Sequence, residues 1–178
     1  SGVDAIVCEG FEAGGHNGRE EITTMCLIPN VSKNINIPII AAGGIGSAQA
    51  MLAAFSLGAD AVQIGSRFAA SEESSAHINF KKEILKAKEG GTMLSLKKLT
   101  PVRLIKNAFY HKIAEAESRG ESIKELEDLL GNGRARKGIF EGDLEEGELE
   151  IGQVSSMIND IKPVKDIIED LIREFEIE

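Results

Sequence analysis

Two apolar runs that each close on glycine, with one short helical stretch between them, restrict this chain more than any other feature. Residues 36–44 read NIPIIAAGG and residues 58–65 read GADAVQIG. Neither run alternates polar with apolar positions, so each suits a strand covered on both faces of a parallel sheet. The opening residues, SGVDAIVCEG, repeat the second pattern. Between the glycine-ended runs lies SAQAMLAAFSL, for which Ser47 offers an N-cap and Gly58 a stop. Residues 20–34 read as a less regular helix and turn ahead of Pro38. Residues 1–70 therefore predict β-loop-α-β-α-β, a right-handed parallel α/β arrangement.

After Phe68 the pattern predicts helices only. Residues 74–90, 101–120, 122–133, 152–161 and 163–175 carry apolar positions at helical spacing, with a Ser122 cap, a Gly131 stop and Pro163 in a first turn. Three parallel strands followed by helices would leave two unpaired sheet edges, which is not a complete fold.

Composition narrows the partners. The 178 residues are 42% apolar, enough for one sizeable core, and contain no run long enough to span a membrane. A net charge of −9 argues against a nucleic-acid surface. That charge is uneven: residues 139–178 hold 13 acidic and 3 basic side chains, a solvated acidic helical region, while residues 1–138 hold 16 and 17. Cys8 and Cys26 lack any CxxC spacing, so no metal site or disulfide framework is expected and a reducing cytoplasm is the default. The first residues do not read as a basic, leucine-rich signal sequence, and the first is Ser1 rather than Met, so the chain is expected to begin inside a longer protein.

Phosphate groups bind where several backbone N–H donors converge without a Cβ in the way. AAGGIGSA offers Gly43, Gly44 and Gly46 before the Ser47 helix, and QIGSRF offers Gly65 and Ser66. Either loop alone fits a plain turn. Two in consecutive strands fit the phosphate site after strands seven and eight of a (β/α)8 barrel. AIVCEG is then strand six, and FEAGGHNG lies in the loop after it, on the catalytic face. Strands one to five would precede this chain, which becomes the C-terminal part of a TIM barrel followed by a helical region. Residues 1–75 would form the last three β/α units, and residues 76–178 a mainly helical insertion and closing segment.

The set EGFEAGGHNG, PIIAAGGIGS and GADAVQIGSRF resembles the FMN-dependent family of nitronate monooxygenases (2-nitropropane dioxygenases) and enoyl-acyl carrier protein reductases II. TPVRLIKN and GRARKGIFEGDLEEGELEIGQ are similar to that family's insertion and closing segment. The resemblance implies FMN at the barrel mouth. Ala42, Gly43 and Gly44 match its first phosphate loop and Gln63, Ile64, Gly65 and Ser66 the second, with Ser66 where many relatives carry Thr. Gly14 and Gly15 match the glycines that approach the flavin, and His16 matches the catalytic histidine.

Two chemistries follow from the resemblance. In one, NADH or NADPH reduces FMN and a trans-2-enoyl thioester on acyl carrier protein is then reduced, with His16 polarising or protonating the thioester enolate. In the other, alkyl nitronates are oxidised with O2 and His16 takes a proton or orients the nitronate. Glu9 and the closing segment favour the reductase. The family also implies a homodimer, and the chain alone is expected to be inactive without its N-terminal barrel half. Outside the site, Glu9 and Glu12 read as loop-organising carboxylates, His77, His111 and Arg103 as helix-surface residues, Cys8 as a small buried apolar group, and Asp4 and Asp60 as structural.

Overall fold

The central strand of the first sheet is the run Ile39–Ala42, β3, in which Ile39, Ala41 and Ala42 are buried and Ile40 is half-buried. The computed structural model describes residues 2–177. In it β3 is flanked by β1 (Ile6–Glu9) and β4 (Ala61–Gln63), both parallel to it, in the order β1-β3-β4. Helix α1 (Thr24–Ser32) and helix α2 (Ala48–Ser56) make the crossovers. They cover one face of the sheet, where Cys8, Ile28, Ile39, Ala41, Ile45, Ala54 and Ala59 form the first core. Local chemistry sets the boundaries as expected: the Ser47 side chain accepts from the Ala50 N–H at 3.2 Å to cap α2. The Asp60 carboxylate accepts from the Ile39 N–H at 2.8 Å, pinning the turn into β4 against β3.

The strands do not stop at Phe68. Beyond α3 (Ser66–Ala69) and α4 (Ile78–Lys86), β5 (Thr92–Ser95) and β6 (Val102–Ile105) form an antiparallel pair. A two-residue strand, β2 (Gly15–His16), joins the other edge of β6, giving a second sheet in the order β2-β6-β5. All four residues of β6 are buried. A strand buried on both faces has no alternation to betray it, so the helical period of the residues after it masks it in the sequence. The helix there, α5 (Ala108–Ser118), starts only where the Asn107 side chain accepts from the Tyr110 N–H at 3.0 Å.

Helix α6 (Ile123–Leu130) opens with a capping box between Ser122 and Glu125. Helix α7 (Arg134–Ile139), a 3-10 turn (Gln153–Met157) and α8 (Val164–Ile177) complete the chain. After turns at residues 140–147 the chain lies along β6: Glu150 bridges to Leu104, and the Ile105 N–H donates to the Leu149 carbonyl at 2.9 Å. This closing segment buries Leu149 and Ile151 with Ala70, Phe80, Ile84, Ile105 and Ile158 in a second core. Helix α8 returns to α2, where Phe175 meets Phe55 edge-to-face at 5.7 Å. Among the described residues no helix is long and apolar enough to cross a membrane.

Candidate functional site

Parallel register brings Glu9, Ala42 and Gln63 side by side at the C-terminal ends of β1, β3 and β4. The three loops that follow therefore emerge together, and a cavity of about 330 Å³ opens among them. Of the residues singled out from the sequence, Gly14, Gly15, Ala42, Gly43, Gly44, Gln63, Gly65 and Ser66 line it. Ile64 does not; it turns away and packs against the first core. His16 stands just outside the wall, exposed on β2 opposite Val102.

The first two loops are locked together by close backbone packing. Gly43 has φ +86°, and a Cβ there would stand 2.6 Å from the Gly10 carbonyl oxygen, so glycine is required on both conformational and steric grounds. The Gly10 N–H donates to the Ala42 carbonyl at 2.9 Å, and the Thr24 hydroxyl donates to the Gly43 carbonyl at 2.8 Å. Glu12 organises the loop as expected. Its carboxylate accepts from the Thr24 N–H at 3.0 Å, satisfying an orphan donor at the start of α1 that Thr23 leaves unbonded.

The closing segment completes the wall. The Gln153 N–H donates to the Glu12 carbonyl at 2.9 Å, and the Gly152 N–H donates to the Ser66 hydroxyl at 2.9 Å. Ser66 thus accepts from the protein, and its own O–H remains to donate toward the cavity. Gly14 lies so close to Ile151 and Gly152 that any side chain at that position would overlap their backbone.

Arg103 is not on a helix surface. It sits in β6 opposite Gly15, 1% exposed, with Nε and Nη2 donating to the Phe11 carbonyl at 3.1 and 2.9 Å. Its guanidinium also stacks over the Phe11 ring, 4.4 Å from the centroid. This buried cation holds the start of the loop that carries Gly14, Gly15 and His16. His77 caps α4 through its Nδ1, His111 is exposed, and Cys8 is buried, where burial pushes its thiol up.

Sequence reasoning misses the carboxylates of the closing segment. Glu150 lines the cavity and Glu148 stands two residues back along the same extended chain. Burial, reinforced by Glu150 and opposed by Arg134, pushes the Glu148 carboxyl up to about 7. Burial also raises Glu150, an effect that His16 partly offsets. Glu9, which lines the same cavity, is raised by partial desolvation of its carboxyl. The signal is present as Glu-Leu-Glu-Ile between Gly147 and Gly152, an alternation that places both carboxylates on one face of an extended segment.

A family model described as nitronate monooxygenase matches residues 1–174. The chain belongs to the nitronate monooxygenase family. A protein of Staphylococcus saprophyticus named probable nitronate monooxygenase is 32% identical over 169 residues, covering 89% of this chain and 47% of its own length. Among solved structures, FabK from Thermotoga maritima is 46% identical with a TM-score of 0.92, over 98% of this chain and 55% of that one. Nitroalkane oxidase from Streptomyces ansochromogenes is 27% identical with a TM-score of 0.79, over 98% and 52%. The chain thus spans about half the length of the family members it matches.

Proposed function

We propose that this chain supplies the cofactor-binding face of an FMN-dependent oxidoreductase. The observation that carries this is the register Glu9–Ala42–Gln63, which sets three glycine-bearing loops around one cavity. In this reading β1, β3 and β4 are strands six to eight of a (β/α)8 barrel formed by residues 1–75. Residues 76–178 form its insertion and closing segment, and five preceding strands come from an N-terminal half that the chain needs for activity. Both outer strands, β1 and β4, have one edge unpaired among the described residues, as such completion requires.

The residues fit the group. The cavity volume falls in the range of small-molecule sites, roughly 300–1,000 Å³. A Cβ at Gly65 would meet no atom within 4 Å, so the backbone there is open to a phosphate, with the Ser66 hydroxyl beside it. Gly43 and Gly44 precede α2, whose N-terminus favours an anion. When bound, FMN supplies the redox step, and the chain supplies binding, orientation and proton handling.

The first choice of reaction is NADH- or NADPH-dependent reduction of a trans-2-enoyl thioester on acyl carrier protein. The 46% identity with FabK, an enoyl-ACP reductase II, supports it against 27% with nitroalkane oxidase. His16 would hold a proton for the carbonyl oxygen as enolate character develops there. The name of the family model and of the Staphylococcus relative favour a second reading, oxidation of alkyl nitronates with O2. His16 would then orient the nitronate or accept its precursor's proton.

Anaerobic addition of NADH to the flavin-loaded protein, co-expressed with an N-terminal barrel half, separates these readings. Prompt bleaching, then reoxidation by an enoyl thioester, is the expected result. A flavin untouched by NADH but reduced by a nitronate leaves the monooxygenase. Failure to bind FMN at all sinks both.

A further inference from the structure

His16, as the proton-handling group of the proposed reaction, changes charge as it works, and a neighbouring group must balance that change. β6 brings the two relevant segments together on its edge away from β5. There β2 pairs Gly15 with Arg103 and His16 with Val102, and the closing segment bridges Glu150 to Leu104. Glu150 and His16 therefore stand on one strand edge with only Gly15 between them, although 134 positions separate them in the numbering.

Three further observations fix the Glu150 side chain. Leu149 is buried in the second core, while Glu150, the next residue, lines the cavity. Its Oε2 stands 2.8 Å from where a Cβ on Gly15 would be, so the carboxylate lies directly against the backbone preceding His16. Behind it Glu148, 7% exposed, has an Oε1 with no hydrogen-bond partner among the described residues, and Arg134 of α7 is the cation that acts on it. The facing groups are thus His16 from β2, Glu148 on the same segment, Arg134 acting through Glu148, and Glu9 from β1 in the same wall.

We propose that Glu150 is the charge partner of His16, a positioning residue that compensates the charge the imidazole takes on while carrying a proton. The proposal rests on His16 being the proton-handling group of the site. A proton leaving the imidazole for substrate, or arriving from it, changes the ring by one unit charge. A carboxylate beside the backbone that carries the imidazole makes the protonated ring less costly. Glu148, still largely protonated below about pH 7, stands next in line without adding a second full negative charge beside the pair.

The first test needs neither flavin nor substrate. Carbon-13 NMR of the glutamate carboxyls in the 178-residue chain follows Glu150 through a pH titration, in the native protein and in His16→Gln. The Glu150 midpoint is expected to rise in the variant, because the positive imidazole that holds it down is gone. A midpoint that does not move overturns the pairing. His16→Asn serves the same purpose if His16→Gln does not fold. The second test uses the flavin-loaded protein. Glu150→Gln is expected to lower kcat about tenfold or more, with KM little changed and the pH profile of kcat shifted. A fall in kcat with an unshifted profile is what a merely structural role gives, and it overturns the proposal. Coupling seen by NMR in a protein that turns over neither substrate class would fail the functional reading while supporting the pair.

Discussion

The hydroxyl of Ser66 accepts a hydrogen bond from the Gly152 N–H at 2.9 Å, joining the turn after β4 to the closing segment. Gly152 is buried, so its N–H has no ready substitute in water. Ser66→Ala leaves that donor unpaired and is expected to destabilise the fold by about 1–2 kcal/mol. It also removes the O–H proposed to face the cofactor phosphate, so FMN affinity should fall about tenfold, the equivalent of ~1.4 kcal/mol. Urea denaturation and flavin fluorescence titration check the two effects separately. Ser66→Thr, which keeps the hydroxyl, should preserve both.

Gly43 and Gly65 separate a structural requirement from a functional one. At Gly43 a side chain meets both a left-handed φ and the Gly10 carbonyl, so Gly43→Ala is expected to cost roughly 2–3 kcal/mol whether or not a ligand binds. Gly65 has φ −98°, and a methyl group added there would point into open space. Gly65→Ala should leave stability within about 0.5 kcal/mol of the native chain. Its FMN dissociation constant should nevertheless rise about tenfold or more if phosphate approaches the backbone there. Unchanged flavin affinity in Gly65→Ala would remove that loop from the proposed site.

The first half of the chain is legible because its signals are local. The run Ile39–Ala42, the Ser47 cap and the glycine loops at 43–44 and 65 carry their own conformational instructions within a few residues. Eight of the ten singled-out site residues line the cavity for the same reason. The second half is not, because what defines it lies far along the chain. β6 is a strand through pairing with β5 and β2, and Arg103 is buried because its acceptor, the Phe11 carbonyl, lies 92 residues away. Glu150 joins the cavity only once the closing segment lies along β6. Ile64, just past β4, lies off the cavity because its apolar side chain packs against the first core.

Arg103 anchors the loop that leads to His16, and its removal should loosen that loop before the rest of the fold. Its guanidinium bonds the Phe11 carbonyl through two nitrogens and stacks on the Phe11 ring. Lysine cannot reproduce that planar fork, so Arg103→Lys is expected to destabilise by about 2–3 kcal/mol. Phe11→Leu keeps the carbonyl and loses only the stacking, and should cost about 1 kcal/mol. Hydrogen exchange at the amides of residues 13–16 should quicken in Arg103→Lys more than at β3. Equal quickening at both would make Arg103 a general core residue rather than the anchor of this loop.

Glu148 ties stability to pH through a carboxyl whose proton affinity is raised on folding, from an ordinary 4.5 to about 7, chiefly by burial. Such a group binds its proton more tightly in the folded chain than in the unfolded one. Its contribution is therefore full below the unfolded value and disappears as pH rises through the folded value. The loss across that interval approaches about 3 kcal/mol for a group this well buried. Glu148→Gln cannot ionise, so the variant should match the native chain near pH 4.5 and exceed it increasingly above pH 7. Paired urea denaturations across that window measure the difference directly, and taking the difference cancels the opposing titrations of Glu146 and Asp170, whose ion pairs hold them low. A gap that stays constant with pH would mean that Glu148 ionises as readily in the folded chain as in the unfolded one, and that its neighbourhood admits more water than the packing of Leu149 and Gly138 around it implies.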